Sequence, residues 1–338
     1  MKSKILFLFF ITAKLSAYGC LTENQSVNIP TSPIIKIQGT NFTLNDELFN
    51  FTGISFFNAL YNPTFNCREQ TQLQWLQKFR DYGITVLRIW GEWNSDLGFI
   101  DTCDSCTLYN GDGSLHPIYL NRLKELLNTT ASLNMVVEYV LFSPESKNKK
   151  LPDDVADRAI KNLTKELKPY RNMVFQIRNE YDYRVKDYYC IIKQYDSERL
   201  VTNSPGGSGT LGNDDHNELL DFLTPHTSRH GKFWEKAGNE ISDLIKKFNK
   251  PVVDDEPARS GTTETEWLGG PKERTTPFDH ILQIYNVWKS KGYYIYHHDM
   301  FQTNYGTAPI PSHGIPDPEF NLYHKTVLKF IREKSRFY

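Results

Sequence analysis

Short apolar runs rich in Val, Ile, Phe and Tyr alternate with stretches of helical periodicity along most of this 338-residue chain. That alternation constrains the fold more than any other feature, because strands joined by helical crossovers pair in parallel and need cover on their faces. The apolar runs at residues 51–57, 84–90, 135–141, 173–177, 199–202, 221–224, 251–254 and 293–297 are expected as strands. Helices are expected at about residues 68–82, 117–133, 152–167, 185–195, 216–220, 233–248, 277–291 and 318–332. Leu73, Leu76 and Phe79 share one face of the first helix, and Pro152 stands at a helix start, where a missing N–H is tolerated. Eight strand–helix units in series predict one closed parallel (β/α)8 TIM barrel over residues 51–338. Residues 20–50 form a separate N-terminal segment, in which short strands around a turn at Asn45-Asp46 predict a β-hairpin.

Residues 1–19 have the pattern of a secretion signal: Lys2 and Lys4, an apolar run over residues 5–11, and Ala17-Tyr18-Gly19 as a small-x-small cleavage site. The run is too short to span a bilayer, so export without a membrane span is expected. Cys20 leaves open a lipid anchor, although Ala17 stands where such signals usually carry Leu. Export permits disulfides among Cys67, Cys103, Cys106 and Cys190, and four cysteines allow three full pairings. Cys190 is expected as a buried free thiol, and Cys103-x-x-Cys106 lacks the second close pair a zinc site needs. Five Asn-x-Ser/Thr sequons stand at Asn24, Asn41, Asn50, Asn128 and Asn162. Net charge is −1 with the basic residues scattered, which disfavours nucleic acid and acidic membranes as partners.

Two expected strands end in carboxylates. Residues 173–177 run into Arg178-Asn179-Glu180, and Pro251-Val252-Val253 runs into Asp254-Asp255-Glu256. Three adjacent acids are expected on an open rim, because burying them together is costly. The longest expected loops, residues 91–116, 257–276 and 298–317, also follow strands, on the barrel face where active sites form. Glu180 and Glu256 are therefore the candidate pair for glycosidic bond cleavage.

At these residues the chain resembles the retaining β-glycosidases of glycoside hydrolase clan A, the cellulase- and mannanase-like (family 5-like) barrels. The residues carrying the resemblance are Phe49-Asn50-Phe51-Thr52-Gly53, the strand Gly83 to Trp90, Asn179-Glu180, and Pro251 followed five residues later by Glu256. The resemblance implies Glu180 as acid/base and Glu256 as nucleophile. It further implies Arg88 as support for the nucleophile, Asn179 as a partner of the sugar 2-hydroxyl, and His226 at the end of strand six. The chain departs from the pattern in several places. Strand three lacks its usual His, Ser228 replaces a Tyr, Pro257 follows the nucleophile, and Tyr296-His297-His298-Asp299 stands where a Trp usually lies under the sugar.

Each residue also has a plain structural reading. Glu180 could pair with Arg178 or Arg184, Glu256 with Arg259, and Arg88 could be an ion pair inside the barrel; Asp254 or Asp255 could be the acid in place of Glu256. Trp93 and Trp267 fall in expected rim loops and are candidate sugar platforms, whereas Trp90 and Trp234 fit core packing better. His297 and His298 are expected to bond sugar hydroxyls or to serve in plain packing. A metal site built from them with Asp299, His226 and His230 is disfavoured, because adjacent strand residues point to opposite faces. The expectation is a retaining hydrolase of a β-mannan, β-glucan or related poly- or oligosaccharide, needing neither cofactor nor metal. The alternatives are an inactive glycan-binding barrel and a metal-dependent hydrolase.

Overall fold

The computed structural model describes residues 32–92, 106–143, 151–258, 276–298 and 314–337. The expected secretion signal, Cys20, Trp93, Cys103, Arg259, Trp267 and Asp299 lie outside them. An antiparallel sheet of β1 (Ile35–Gln38), β2 (Asn41–Leu44) and β3 (Glu47–Leu48) comes first. Parallel strands and helices then alternate: β4 (Thr52–Ser55), α1 (Glu69–Asp81), β5 (Val86–Trp90), α2 (Pro117–Ser132), β6 (Val136–Phe142), α3 (Asp153–Leu167), β7 (Met173–Arg178) and α4 (Val185–Tyr195). The second half adds β8 (Val201–Thr202), α5 (Asp214–Leu219), α6 (Phe233–Phe248), β9 (Val253–Asp254), α7 (Pro277–Lys289), β10 (Tyr293–Tyr296) and α8 (Leu322–Lys334).

Seven strands hydrogen-bond in the order β8-β7-β6-β5-β4-β10-β9. The expected sixth strand is reduced to one parallel bridge between Leu223 and Val252. Its backbone still closes the barrel, with Asp221 N–H donating to the Val201 carbonyl and Leu223 N–H to that of Pro251. Side chains take over part of the ladder here, which is why the strand is so short. The Asp221 carboxylate accepts from Val201 N–H at 2.8 Å, and Thr202 Oγ1 donates to the Phe222 carbonyl at 2.8 Å. The architecture is a (β/α)8 barrel.

Local chemistry fits these elements. Asn45 and Asp46 hold φ of 53° and 68°, the left-handed pair that a tight hairpin turn requires. Thr276 and Asp279 form a reciprocal capping box at the start of α7, and Asn321 caps α8. The N-terminal sheet plugs one end of the barrel. Phe42, Phe49 and Phe51 pack against Val86, Val136, Val174, Phe222, Val253 and Ile295, one apolar layer from six barrel segments. Phe42 stacks on Phe51 at 4.4 Å and meets Phe222 edge-on at 5.3 Å. With that end sealed, the polar residues gather in the layer towards the strand C-termini.

Cys190 is free but exposed on α4, contrary to expectation, because the apolar face of that helix is set by Val185, Tyr188 and Ile192. Cys67 is also free and exposed, and Cys106 is disulfide-bonded. No helix among the described residues is long and apolar enough to cross a membrane. Below β8, the buried Arg199 donates to the carbonyls of Tyr170, Met173 and Leu167 and pairs with Asp196 at 3.1 Å. Arg199→Ala leaves Asp196 and these carbonyls without that donor. We expect it to lower unfolding stability by about 3–5 kcal/mol, read by urea denaturation.

Candidate active site

Glu180 and Glu256 come together at the C-terminal ends of the strands. Glu180 stands two residues past β7 with φ of 53°, a left-handed conformation that a non-glycine residue rarely adopts. Hydrogen bonds on either side enforce it: Asn179 N–H donates to the Phe142 carbonyl and Tyr181 N–H to that of Ser204. Strain held this way turns the side chain inward over the barrel mouth, at 24% exposure. Glu256, two residues past β9, is only 2% exposed.

His226 stands between them. Its Nδ1 lies 3.1 Å from Glu180 Oε1 and its Nε2 lies 3.4 Å from Glu256 Oε2. One ligand atom from each of Glu180, His226 and Glu256 lies within 4.8 Å of the others. Among the described residues no other group of His, Cys, Asp or Glu converges in this way. The cation standing there is Arg229, whose Nη2 is 3.3 Å from Glu256 Oε1 and 3.5 Å from Glu180 Oε1.

Beneath Glu256 lies Arg88 of β5, fully buried. It reaches Glu256 Oε2 at 3.4 Å, Asp255 Oδ2 at 3.0 Å and Glu138 Oε1 at 3.5 Å. It also donates to Asn179 Oδ1 at 2.6 Å and to Gln176 Oε1 at 2.8 Å. The Gln176 amide nitrogen in turn donates to Asp255 at 2.7 Å. Asp254, one residue earlier, points the other way, to Thr227 and to Gln283 of α7. The Asp-Asp-Glu run is therefore buried throughout and not on an open rim, because the barrel supplies a cation, an amide and hydroxyls to receive it. Burial raises the carboxyl of Glu138 to about 8, helped by the charge of Asp255 and opposed by Arg88. Burial likewise raises Asp254 to about 8 and raises Asp255 against the pull of Arg88 and His226.

Arg88, Asn179, Glu180, His226 and Glu256 thus share one site. His297 joins them: its Nε2 is 3.7 Å from Glu256 Oε1 and its Nδ1 is 3.0 Å from Ser55 Oγ. His298 does not. It faces outward and packs against His280, Tyr323 and His324, since its neighbour His297 takes the inward face. The plain partners proposed for Glu180 are engaged elsewhere, Arg178 against Phe142 and Tyr188, Arg184 with Asp157 and Asp187. Trp90 is buried, stacked on Phe57 and under Arg88. Sequence reasoning did not identify Arg229, Gln176 or Glu138. Only the inward parity of Gln176 with Val174, and of Glu138 with Val136, could have signalled the last two.

Glu138 and Asp254 each hold a proton in the folded protein that the unfolded chain releases near pH ~4. Their contribution to stability is fully present below that pH and is lost as pH rises towards about 8. Glu138→Gln has no such proton to lose. We expect its stability to fall less steeply between about pH 5 and 8, by up to about 1.4 kcal/mol per pH unit, in denaturation curves taken across that range.

No protein-family model matches the chain, and no curated protein matches it in sequence. Solved structures do match in fold. A Bacteroides vulgatus protein assigned to the glycoside hydrolases superposes with a TM-score of 0.63 at 19% identity, covering 83% of this chain and 57% of that one. The present chain therefore spans little more than half of that relative. An endo-1,4-β-mannanase from Rhizomucor miehei superposes with a TM-score of 0.60 at 14% identity, over 90% of this chain and 100% of that one. A family 5 mannosidase from the same organism gives 0.63 at 14% identity, over 91% and 98%. The chain carries the (β/α)8 fold of the family 5 and mannanase-type glycoside hydrolases.

Proposed function

We propose that the protein is a secreted retaining glycoside hydrolase that cleaves β-glycosidic bonds by double displacement. The observation that carries this reading is the approach of Glu180 and Glu256, with one oxygen of each within 4.8 Å of the other at the strand C-termini. Retaining enzymes hold their carboxyl groups about 5–5.5 Å apart, whereas inverting ones leave about 6.5–9.5 Å for a water. An approach this close favours direct attack by one carboxylate over attack by an interposed water.

The environments support distinct roles for the two carboxylates. Glu256 is the nucleophile: Oε2 is held by Arg88, and Oε1 is turned towards Arg229 and His297 at the mouth. Glu180, more exposed, protonates the leaving oxygen and then deprotonates the water that releases the glycosyl-enzyme. Asn179, its carbonyl oxygen held by Arg88, offers its amide hydrogens to the sugar 2-hydroxyl. Several fold neighbours are mannanases, so β-mannan is the first substrate class to test and β-glucan the next. The secretion signal at residues 1–19 suits a substrate met outside the cell.

We expect Glu180→Gln to cut turnover on polysaccharide by about 10²–10⁴-fold. Glu256→Gln should lower it by about 10⁴-fold or more, since it removes the attacking group. Both variants should keep wild-type circular dichroism. Activity near wild type in either removes that residue from the mechanism. The first-formed sugar should retain the anomeric configuration of the substrate; an inverted anomer in proton NMR would exclude double displacement.

A further inference from the structure

Arg229 holds the position that the proposed chemistry needs. Its Nη2 nitrogen faces four partners: Glu256 Oε1 at 3.3 Å, Glu180 Oε1 at 3.5 Å, the Glu256 carbonyl oxygen at 3.1 Å and His226 Nδ1 at 3.4 Å. One nitrogen with two hydrogens serves all four. None of these contacts reaches the about 2.7–2.9 Å of a strong charge-assisted bond. The Arg229 backbone is fixed by donation to Ser208 Oγ at 3.0 Å.

In a double displacement the anomeric carbon approaches the attacking oxygen to about 3–3.5 Å. The leaving oxygen lies within about 2.6–3.2 Å of the acid. Nη2, 3.3 Å from Glu256 Oε1 and 3.5 Å from Glu180 Oε1, stands where the anomeric carbon must come, with the leaving oxygen one bond nearer Glu180, so the guanidinium and the scissile bond cannot be there together. Resting on the glycosidase reading above, we propose that Arg229 fills the cleavage position in the free protein and is exchanged for the sugar on binding. The guanidinium is a planar, delocalised cation. The oxocarbenium-like transition state is another, formed in the same place against the same carboxylates. Arg229 therefore serves as an internal stand-in for the charge that the site stabilises, and it must leave before that charge develops, because two cations at that distance repel.

The exchange predicts that cationic and neutral sugar mimics respond differently to position 229. Calorimetry would compare protonated piperidine iminosugars of manno and gluco configuration with the neutral 1,5-anhydrohexitols. The proteins are wild type, Arg229→Gln, Arg229→Met and Arg229→Lys, each checked for folding by thermal unfolding. In the Gln or Met variant, either of which suffices, the iminosugar should bind about tenfold tighter and the neutral mimic should change less. The Lys variant, which keeps a cation, should stay near wild type. An iminosugar that binds the Gln or Met variant no tighter than wild type, or binds neither, overturns the proposal. Binding is read without turnover, so the two readings fail separately. A protein showing the tighter binding but hydrolysing no β-glycoside keeps the exchange and loses the hydrolase.

Discussion

The buried guanidinium of Arg88 is the interaction on which the rest of the site depends. It draws together β5, β6, β7 and the segment after β9 by contacting Glu138, Gln176, Asn179, Asp255 and Glu256. A single cation cannot neutralise three buried carboxylates. Desolvation eases the imbalance by raising the carboxyls of both Glu138 and Asp255 against the pull of Arg88. Such a cluster adds little net stability, because desolvating the ions offsets their attraction. What it does fix is geometry. Asn179 and Glu256 are held by one planar group with donors in a rigid fork.

That geometry requires a sealed floor. The N-terminal sheet and the segment that follows it supply it by pressing Phe42, Phe49 and Phe51 against the lowest interior layer. Water is thereby excluded from one side of the Arg88 network, where a low dielectric strengthens its hydrogen bonds. The open side carries Glu180, His226, Arg229 and His297. Positive φ at Glu180 stores strain at the mouth, and the backbone bonds to β6 and to the segment after β8 hold it there. His226 stands between the carboxylates, its Nδ1 hydrogen-bonded to Glu180 and its Nε2 3.4 Å from Glu256.

Much of this was legible in the sequence, and the reason is locality. Strand and helix periodicity is written within ten or fifteen residues, so the eight units and the Asn45-Asp46 turn could be placed without knowing their partners. Strand ends carry residues to one face of a parallel barrel, which is enough to pair Glu180 with Glu256. Alternation along a strand separates Asp254 from Asp255 and His297 from His298, although it does not say which of each pair turns inward.

The sequence by itself determined the barrel, its N-terminal hairpin and the two strand ends that bear the carboxylates, since each follows from short-range pattern and parallel topology. Tertiary structure alone decided what surrounds them. It buried Asp254, Asp255 and Glu256 by supplying Arg88, Gln176 and Thr227 from other strands and loops. It also shrank the sixth strand to one bridge, turned His298 away, and set Arg229 between the carboxylates. Whether a charge can be buried depends on donors dozens of residues away in the chain, and no local pattern encodes which loop will deliver them.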